Sequence, residues 1–291
     1  MFEGIHTALI TPFRNGQVDE EALRGLVERQ IEAGIDGLVP TGSTGESATL
    51  SHLEHRQVVE IVIDAAAGRV PVIAGTGSNS TREAVELTMH AKEAGAAGAL
   101  LLSPYYNKPT QEGIFGHYTT IADETRFPLV VYNIPGRTAS NIAAETIARL
   151  ARHEYIVGIK EASGDLDQMS HIISASPSDF AVLSGDDSLT LPLLSVGGAG
   201  VISTSSNVAP TQMCELVRGF KAGDTARAQT LHHQLIPLFD ALFCETNPIP
   251  VKAAAAALGW CDDEIRLPLT KMTDANLEHL RVVLKDLGIM Q

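Results

Sequence analysis

Short runs of branched and small apolar residues return about every thirty positions along this chain, and each is followed by a stretch with helical spacing. Few architectures accept that repeat. The runs are Ile5 to Ile10, Gly37 to Val39, Val72 to Gly75, Ala99 to Leu102, Leu129 to Tyr132, Ile156 to Ser163, Ala181 to Ser184 and Gly200 to Ser203. They are close to continuously apolar instead of alternating, as expected of strands covered on both faces in a parallel sheet. Between them, Leu23, Leu26, Val27 and Ile31 stripe a helix that begins near Asp19 and ends at Gly34. Ser51 and Glu54 form a capping box ahead of Val58, Val59 and Val62, and Ser80 and Glu83 cap a third helix. Ile114, Phe115, Tyr118 and Ile121 stripe a fourth, and further helices start near Asp165 and Ser188.

Eight strand-helix units over residues 1–223 predict an α/β protein, a (β/α)8 TIM barrel. An open doubly wound sheet is the alternative, but it would usually carry a glycine-rich nucleotide turn after its first strand, where TPF stands here. Over residues 224–291 the strand signal stops, and Leu231 to Phe243, Val251 to Leu258 and Asn276 to Leu287 read as three helices. No linker-like stretch precedes them, so a C-terminal three-helix region packed on the barrel is expected.

Composition narrows the partners. A formal charge of −14 argues against nucleic acid and against an anionic membrane, both of which call for clustered lysine and arginine. No apolar run reaches the roughly 20 residues needed to cross a bilayer. MFEGIHTALI has no basic region ahead of its apolar residues, so a cytoplasmic protein without a secretory signal is expected. Cys214, Cys244 and Cys261 are odd in number and far apart, which fits a reducing compartment and not a disulfide framework or thiolate metal site.

Barrel enzymes place their chemistry at the carboxyl ends of the strands, so those residues are read together. Foremost is Lys160, at the inner end of the buried run IVGIK. Burial disfavours an ammonium, and a lysine kept partly neutral can attack a carbonyl carbon to form a Schiff base. Alone, such a lysine could equally lay its stem on apolar surface with its amine in water. Other strand ends supply Ser43 and Thr44, Tyr105 and Tyr106, Tyr132, and Arg137. Each has a bland reading as a turn cap, a packed aromatic or a solvated cation. Together they offer an amine, a phenol such as Tyr132 to move protons through a carbinolamine, Ser43 and Tyr106 to extend that relay, and a planar fork in Arg137 for a carboxylate.

TGSTGESATL, PVIAGTGSNST, PYYNKPTQEG, YNIPGRT, GIKEASGD, LSGDD, GVIS and NPIPVK follow one another in an order that resembles the dihydrodipicolinate synthases, within the pyruvate-dependent class I aldolases and lyases. The similarity spans essentially the whole chain. It implies condensation of pyruvate with aspartate semialdehyde in the diaminopimelate route to lysine, with no cofactor and no metal. By position, Lys160 looks like the Schiff-base lysine and Tyr132 the general acid and base, with Ser43 and Tyr106 in the relay and Tyr106 supplied by an adjacent subunit. Thr44, Gly185 and Ile202 match positions lining the pyruvate pocket, Thr44 holding the carboxylate, and Arg137 matches the residue receiving the semialdehyde's carboxylate. Ser43 departs from the threonine usual in these synthases, and serine there is common in sialic acid lyases of the same family. Ser47, Ala48, His52, His55, Asn79, Glu83 and Tyr105 match an allosteric pocket for L-lysine. The resemblance further implies a homotetramer, a dimer of dimers.

Other functions could use some of the same residues. A sister aldolase acting on a sugar acid would share most of the site, although the arginine of IPGRT suits an amino-acid aldehyde. A metal-dependent aldolase or hydrolase could use His52 and His55, which lie three apart, but no third ligand with suitable spacing is evident. GGAG at 197–200 suggests a phosphate loop, yet it precedes the last strand instead of following it. A non-catalytic binding barrel gives no reason for Lys160 to stand beside Tyr132.

Overall fold

Each strand that follows pairs in parallel with a neighbour, as the apolar runs require. In chain order the strands are β1 (Gly4–Ala8), β2 (Gly37–Val39), β3 (Ile73–Gly75), β4 (Gly98–Leu102), β5 (Leu129–Asn133), β6 (Ile156–Glu161), β7 (Ala181–Ser184) and β8 (Gly200–Ser203). They alternate with α1 (Glu20–Glu32), α2 (His52–Ala66), α3 (Thr81–Ala94), α4 (Gln111–Thr125), α5 (Ala144–Leu150), α6 (Leu166–Ala175), α7 (Thr190–Ser195) and α8 (Pro210–Lys221). Three more helices follow, α9 (Thr225–Phe243), α10 (Ile249–Ala257) and α11 (Asp274–Asp286). The fold is the (β/α)8 TIM barrel of the α/β class with a C-terminal helical region. The computed structural model describes residues 2–290.

By its internal contacts the chain divides into two compact units. One comprises Val72–Ile202 with the residues up to Gly4; the other comprises Ile5–Pro71 with the residues from Ser203 onward.

The first unit holds β3 to β7 and most of β8, hydrogen-bonded in chain order. Residues in register on a parallel ladder share a face. Leu102, Tyr132, Lys160 and Leu183 are successive register partners and so share one face, while Asn133, Glu161 and Ser184 share the other. α4 buries Ile114, Tyr118 and Ile121 fully, and the Tyr118 hydroxyl donates to the Leu101 carbonyl at 2.9 Å. Phe115, expected on that stripe, is only half-buried and lies under the Arg149 guanidinium at 4.1 Å. The cap of α3 closes through an extra residue. The Ser80 amide donates to Ser78 Oγ, whose hydroxyl donates to the Glu83 carboxylate, and Ser80 Oγ accepts the Glu83 amide.

In the second unit β1 pairs with β2 through His6↔Gly37, Thr7↔Leu38 and Ala8↔Val39. Asp19 caps α1, Gly34 ends it with a left-handed backbone at φ 85°, and Ser51 and Glu54 form the expected reciprocal box on α2. β1 is shorter than the apolar run that marks it. Leu9 and Ile10 stay buried, but the Ile10 amide donates to the Asn207 side chain at 3.1 Å. Two short strands, Phe13–Arg14 and Gln17–Val18, pair as a hairpin that the sequence pattern had not revealed. α9 begins at Thr225, earlier than its apolar stripe suggests, because Asp224 caps it by accepting the Arg227 amide at 3.0 Å.

Candidate active site

β6 carries its lysine where the sequence places it, and the residue is buried there. Lys160 is 5 % exposed. Burial pushes its amine down from 10.5 to about 8; Asp186 and Asp187 pull the other way, and Arg137 adds to the lowering. Among the described residues no carboxylate forms an ion pair with Lys160. Tyr132, its register partner on β5, is also buried, and the lysine Nζ stands 4.5 Å from the centre of the phenol ring.

Gly185 explains itself by space. A Cβ there would stand 2.5 Å from Ala162 Cβ and 3.1 Å from Lys160 Cε, so only glycine leaves the lysine stem its path. The Gly185 amide donates to the Glu161 carbonyl at 2.7 Å, which pins the turn after β7 against β6. Ile202, on β8, is fully buried. Arg137 lies in a helical turn, Pro135–Thr138, where a plain loop was expected; it is exposed, yet its charge reaches Lys160. Tyr106 does not join this buried group. It is 90 % exposed, on left-handed backbone at φ 71°.

Sequence reasoning missed Glu161, whose side chain lies on the face opposite Lys160. It is fully buried, and burial pushes its carboxyl up. Asn133 Nδ2 reaches its two oxygens at 3.1 and 3.0 Å, the Ser163 amide donates at 2.7 Å and Gln168 Nε2 at 3.2 Å. The residues immediately after Tyr132 and Lys160 are thus tied to one another. A charged residue within a strand that is apolar up to Lys160 was the available signal.

Ser43 and Thr44 belong to the second unit. Thr44 is 3 % exposed; its Oγ1 accepts from Asn247 Nδ2 at 3.0 Å and lies 3.4 Å from the Thr204 hydroxyl. Ser43 is half-buried, its carbonyl accepting the Glu46 amide at 3.2 Å. Also missed was what holds the end of this loop. Glu46 and Lys252 form a fully buried ion pair, with the Lys252 Nζ 4.0 Å from the centre of the Phe13 ring.

Of the second residue set, the first unit brings together Asn79, Glu83 and Tyr105. Asn79 Nδ2 donates to the Tyr105 carbonyl at 3.2 Å, and burial together with the Glu83 charge pushes the Tyr105 phenol up. Ser47, Ala48, His52 and His55 lie in the other unit. Ser47 opens a short turn, Ala48 and His52 are exposed, and His55 is buried on α2. Among the described residues no helix is long and apolar enough to cross a membrane.

Comparison with known proteins gives consistent matches. The model of the dihydrodipicolinate synthetase family matches residues 1–287. A 4-hydroxy-tetrahydrodipicolinate synthase of Syntrophus aciditrophicus is 57 % identical over 290 residues, covering 100 % of each chain. The chloride-inhibited dihydrodipicolinate synthase of Acinetobacter baumannii, solved in complex with pyruvate, is 47 % identical with TM-score 0.98 and full coverage of both chains (100 %). The dihydrodipicolinate synthase of Cyanidioschyzon merolae, solved with lysine bound, is 43 % identical with TM-score 0.97 over 99 % of each.

Proposed function

This chain belongs to the dihydrodipicolinate synthetase family, and we propose that Lys160 is the amine that binds pyruvate as a Schiff base for condensation with L-aspartate 4-semialdehyde. The enzyme is a lyase of the class I aldolase type, serving the diaminopimelate route of lysine biosynthesis. One observation carries the assignment of the amine: a lysine nitrogen with an ionisation lowered to about 8, buried against the ring of Tyr132.

The chemistry follows from that nitrogen. Neutral Lys160 adds to the keto carbon of pyruvate, and the carbinolamine loses water to an iminium as Tyr132 delivers and accepts protons. Loss of a methyl proton gives an enamine, whose carbon attacks the semialdehyde's carbonyl. In this reading Ser43 and Tyr106 extend the proton relay, and the 90 % exposure of Tyr106 suits a residue lent to a second copy of the chain. Thr44 holds the pyruvate carboxylate, Gly185 and Ile202 shape the space around pyruvate, and Arg137 receives the semialdehyde's carboxylate as a planar fork. The Ser43 hydroxyl retains the relay function of the threonine it replaces.

L-lysine is proposed to inhibit through Ser47, Ala48, His52, His55, Asn79, Glu83 and Tyr105. An amino acid asks for a carboxylate near its ammonium, and Glu83 beside Tyr105 and Asn79 offers one. The assembly is proposed to be a homotetramer, a dimer of dimers, in the cytoplasm, where three free thiols are at home. Borohydride added with pyruvate tests the central step. A reduced pyruvate adduct on Lys160, absent in Lys160→Ala, is the expected mass-spectrometric result; an adduct on another lysine would refute the assignment.

A further inference from the structure

We propose that Lys252 and Glu46 are positioning residues for the reaction: their buried ion pair fixes the loop that presents the Thr44 hydroxyl. The inference rests on the reading of Thr44 as the group that holds the pyruvate carboxylate.

The loop is conformationally costly. Thr41 at φ 54° and Glu46 at φ 53° flank Ser43 and Thr44, and both are non-glycine residues on left-handed backbone. Such residues persist only where the surroundings over-determine them. At Glu46 the surroundings do so through the side chain. One carboxylate oxygen takes the Lys252 ammonium and the other accepts the Arg266 amide at 3.1 Å, while the Glu46 carbonyl accepts the Thr49 amide at 3.0 Å. Lys252 cannot drift, because α10 is buried on that side and its amine lies against Phe13, which also carries the Arg266 guanidinium at 4.1 Å. Further along the loop, the Thr11 hydroxyl donates to the Gly45 carbonyl at 2.7 Å.

Thr44 itself is oriented by the same segment of chain. Asn247, five residues before Lys252, donates to Thr44 Oγ1 at 3.0 Å. Because the oxygen accepts that bond, the hydroxyl proton is directed elsewhere, to the Thr204 hydroxyl at 3.4 Å or to a bound carboxylate in its place. Lys252 holds one end of the loop and Asn247 aims the hydroxyl in its middle, so the C-terminal region sets the position of a substrate-binding group. With Lys252 removed, Glu46 would be a buried carboxylate short of its cation and would swing outward, releasing the left-handed turn.

The test uses Lys252→Met and the double variant Glu46→Gln/Lys252→Met, which removes both charges. In each the KM for pyruvate is expected to rise about tenfold while kcat at saturating pyruvate changes much less, and saturating pyruvate with borohydride still labels Lys160. The double variant recovers thermal midpoint relative to Lys252→Met without recovering the KM, which a merely structural ion pair would not produce. Should Lys252→Met fail to fold, the double variant decides. Thr44→Val separates the two layers of the argument. A raised pyruvate KM in Thr44→Val with a wild-type KM in the double variant overturns the clamp alone, whereas an unchanged KM in Thr44→Val removes the role of Thr44 and the clamp with it.

Discussion

Replacing Lys160 by methionine should abolish turnover and yet make the protein more stable near neutral pH. Burial lowers the amine from 10.5 to about 8, so at pH 7 the folded state holds most of its lysine in a form it disfavours. Converted at about 1.4 kcal/mol per tenfold, the charged amine weakens the fold by roughly 3–4 kcal/mol. The direction with pH follows from the folded value lying below the unfolded one. The penalty is complete below about pH 8, fades as pH rises towards 10.5, and is absent above it. Methionine fills similar volume and never ionises. Urea denaturation at pH 7 should therefore show Lys160→Met more stable by roughly 3–4 kcal/mol, with the gap narrowing above about pH 8 and closing past about pH 10.5. The same lowering leaves roughly a tenth of the amine neutral at pH 7, against a few parts in ten thousand for an ordinary lysine. Equal stability of the two proteins at pH 7, or a gap that does not depend on pH, would refute the claim that this amine is held desolvated.

Three further outcomes follow from the geometry. Gly185→Ala would force a methyl to within 2.5 Å of Ala162 Cβ and 3.1 Å of Lys160 Cε, so adduct formation with pyruvate should slow about a hundredfold with destabilisation of about 1–3 kcal/mol, read by borohydride trapping and denaturation. Arg137→Ala should raise the KM for the semialdehyde about tenfold or more while pyruvate trapping persists, because Arg137 is exposed and its charge lowers the Lys160 amine only as a minor contribution; parallel loss of both would remove its assignment. His55→Ala is expected to weaken inhibition by added L-lysine at least several-fold with basal turnover retained, and unchanged inhibition curves would count against the second site.

Much of the fold was legible because parallel strands buried on both faces write their position as unbroken apolar runs. β2, β7 and β8 begin and end where those runs do. Where the reading slipped, burial and strand pairing had parted company. Leu9 and Ile10 are as buried as β1, but the backbone there has left the ladder for Asn207, a partner nearly two hundred residues away. The hairpin at Phe13–Val18 is too short to leave a period, and the turn Pro135–Thr138 looked like a loop because proline and glycine signal both. Among the candidate residues, Lys160 and Tyr132 could be read from strand ends and Gly185 only from the family resemblance, whereas the charge of Glu161 stood out in its strand but its partners Asn133 and Gln168 are assembled only by the fold.

Lys252 shows how far that kind of reading carries. It too follows an apolar stretch, NPIPV, and burial lowers its amine just as it lowers that of Lys160. A rule that seeks a lysine at the end of a buried run therefore selects both. What separates them is a carboxylate. Glu46, 206 residues away in sequence, bonds the Lys252 ammonium and pulls against that lowering, while Lys160 has a phenol ring at 4.5 Å and the charges of Asp186 and Asp187. An ammonium held in a buried ion pair has no lone pair to offer a keto acid, and a desolvated amine without such a partner does. Lys160 thus differs from Lys252 in having, among the described residues, no ion pair to a carboxylate. Because Lys252 is only 1 % exposed, Glu46→Gln is expected to leave borohydride labelling with pyruvate confined to Lys160, and a labelled Lys252 would show that loss of the ion pair is enough to expose a second reactive amine.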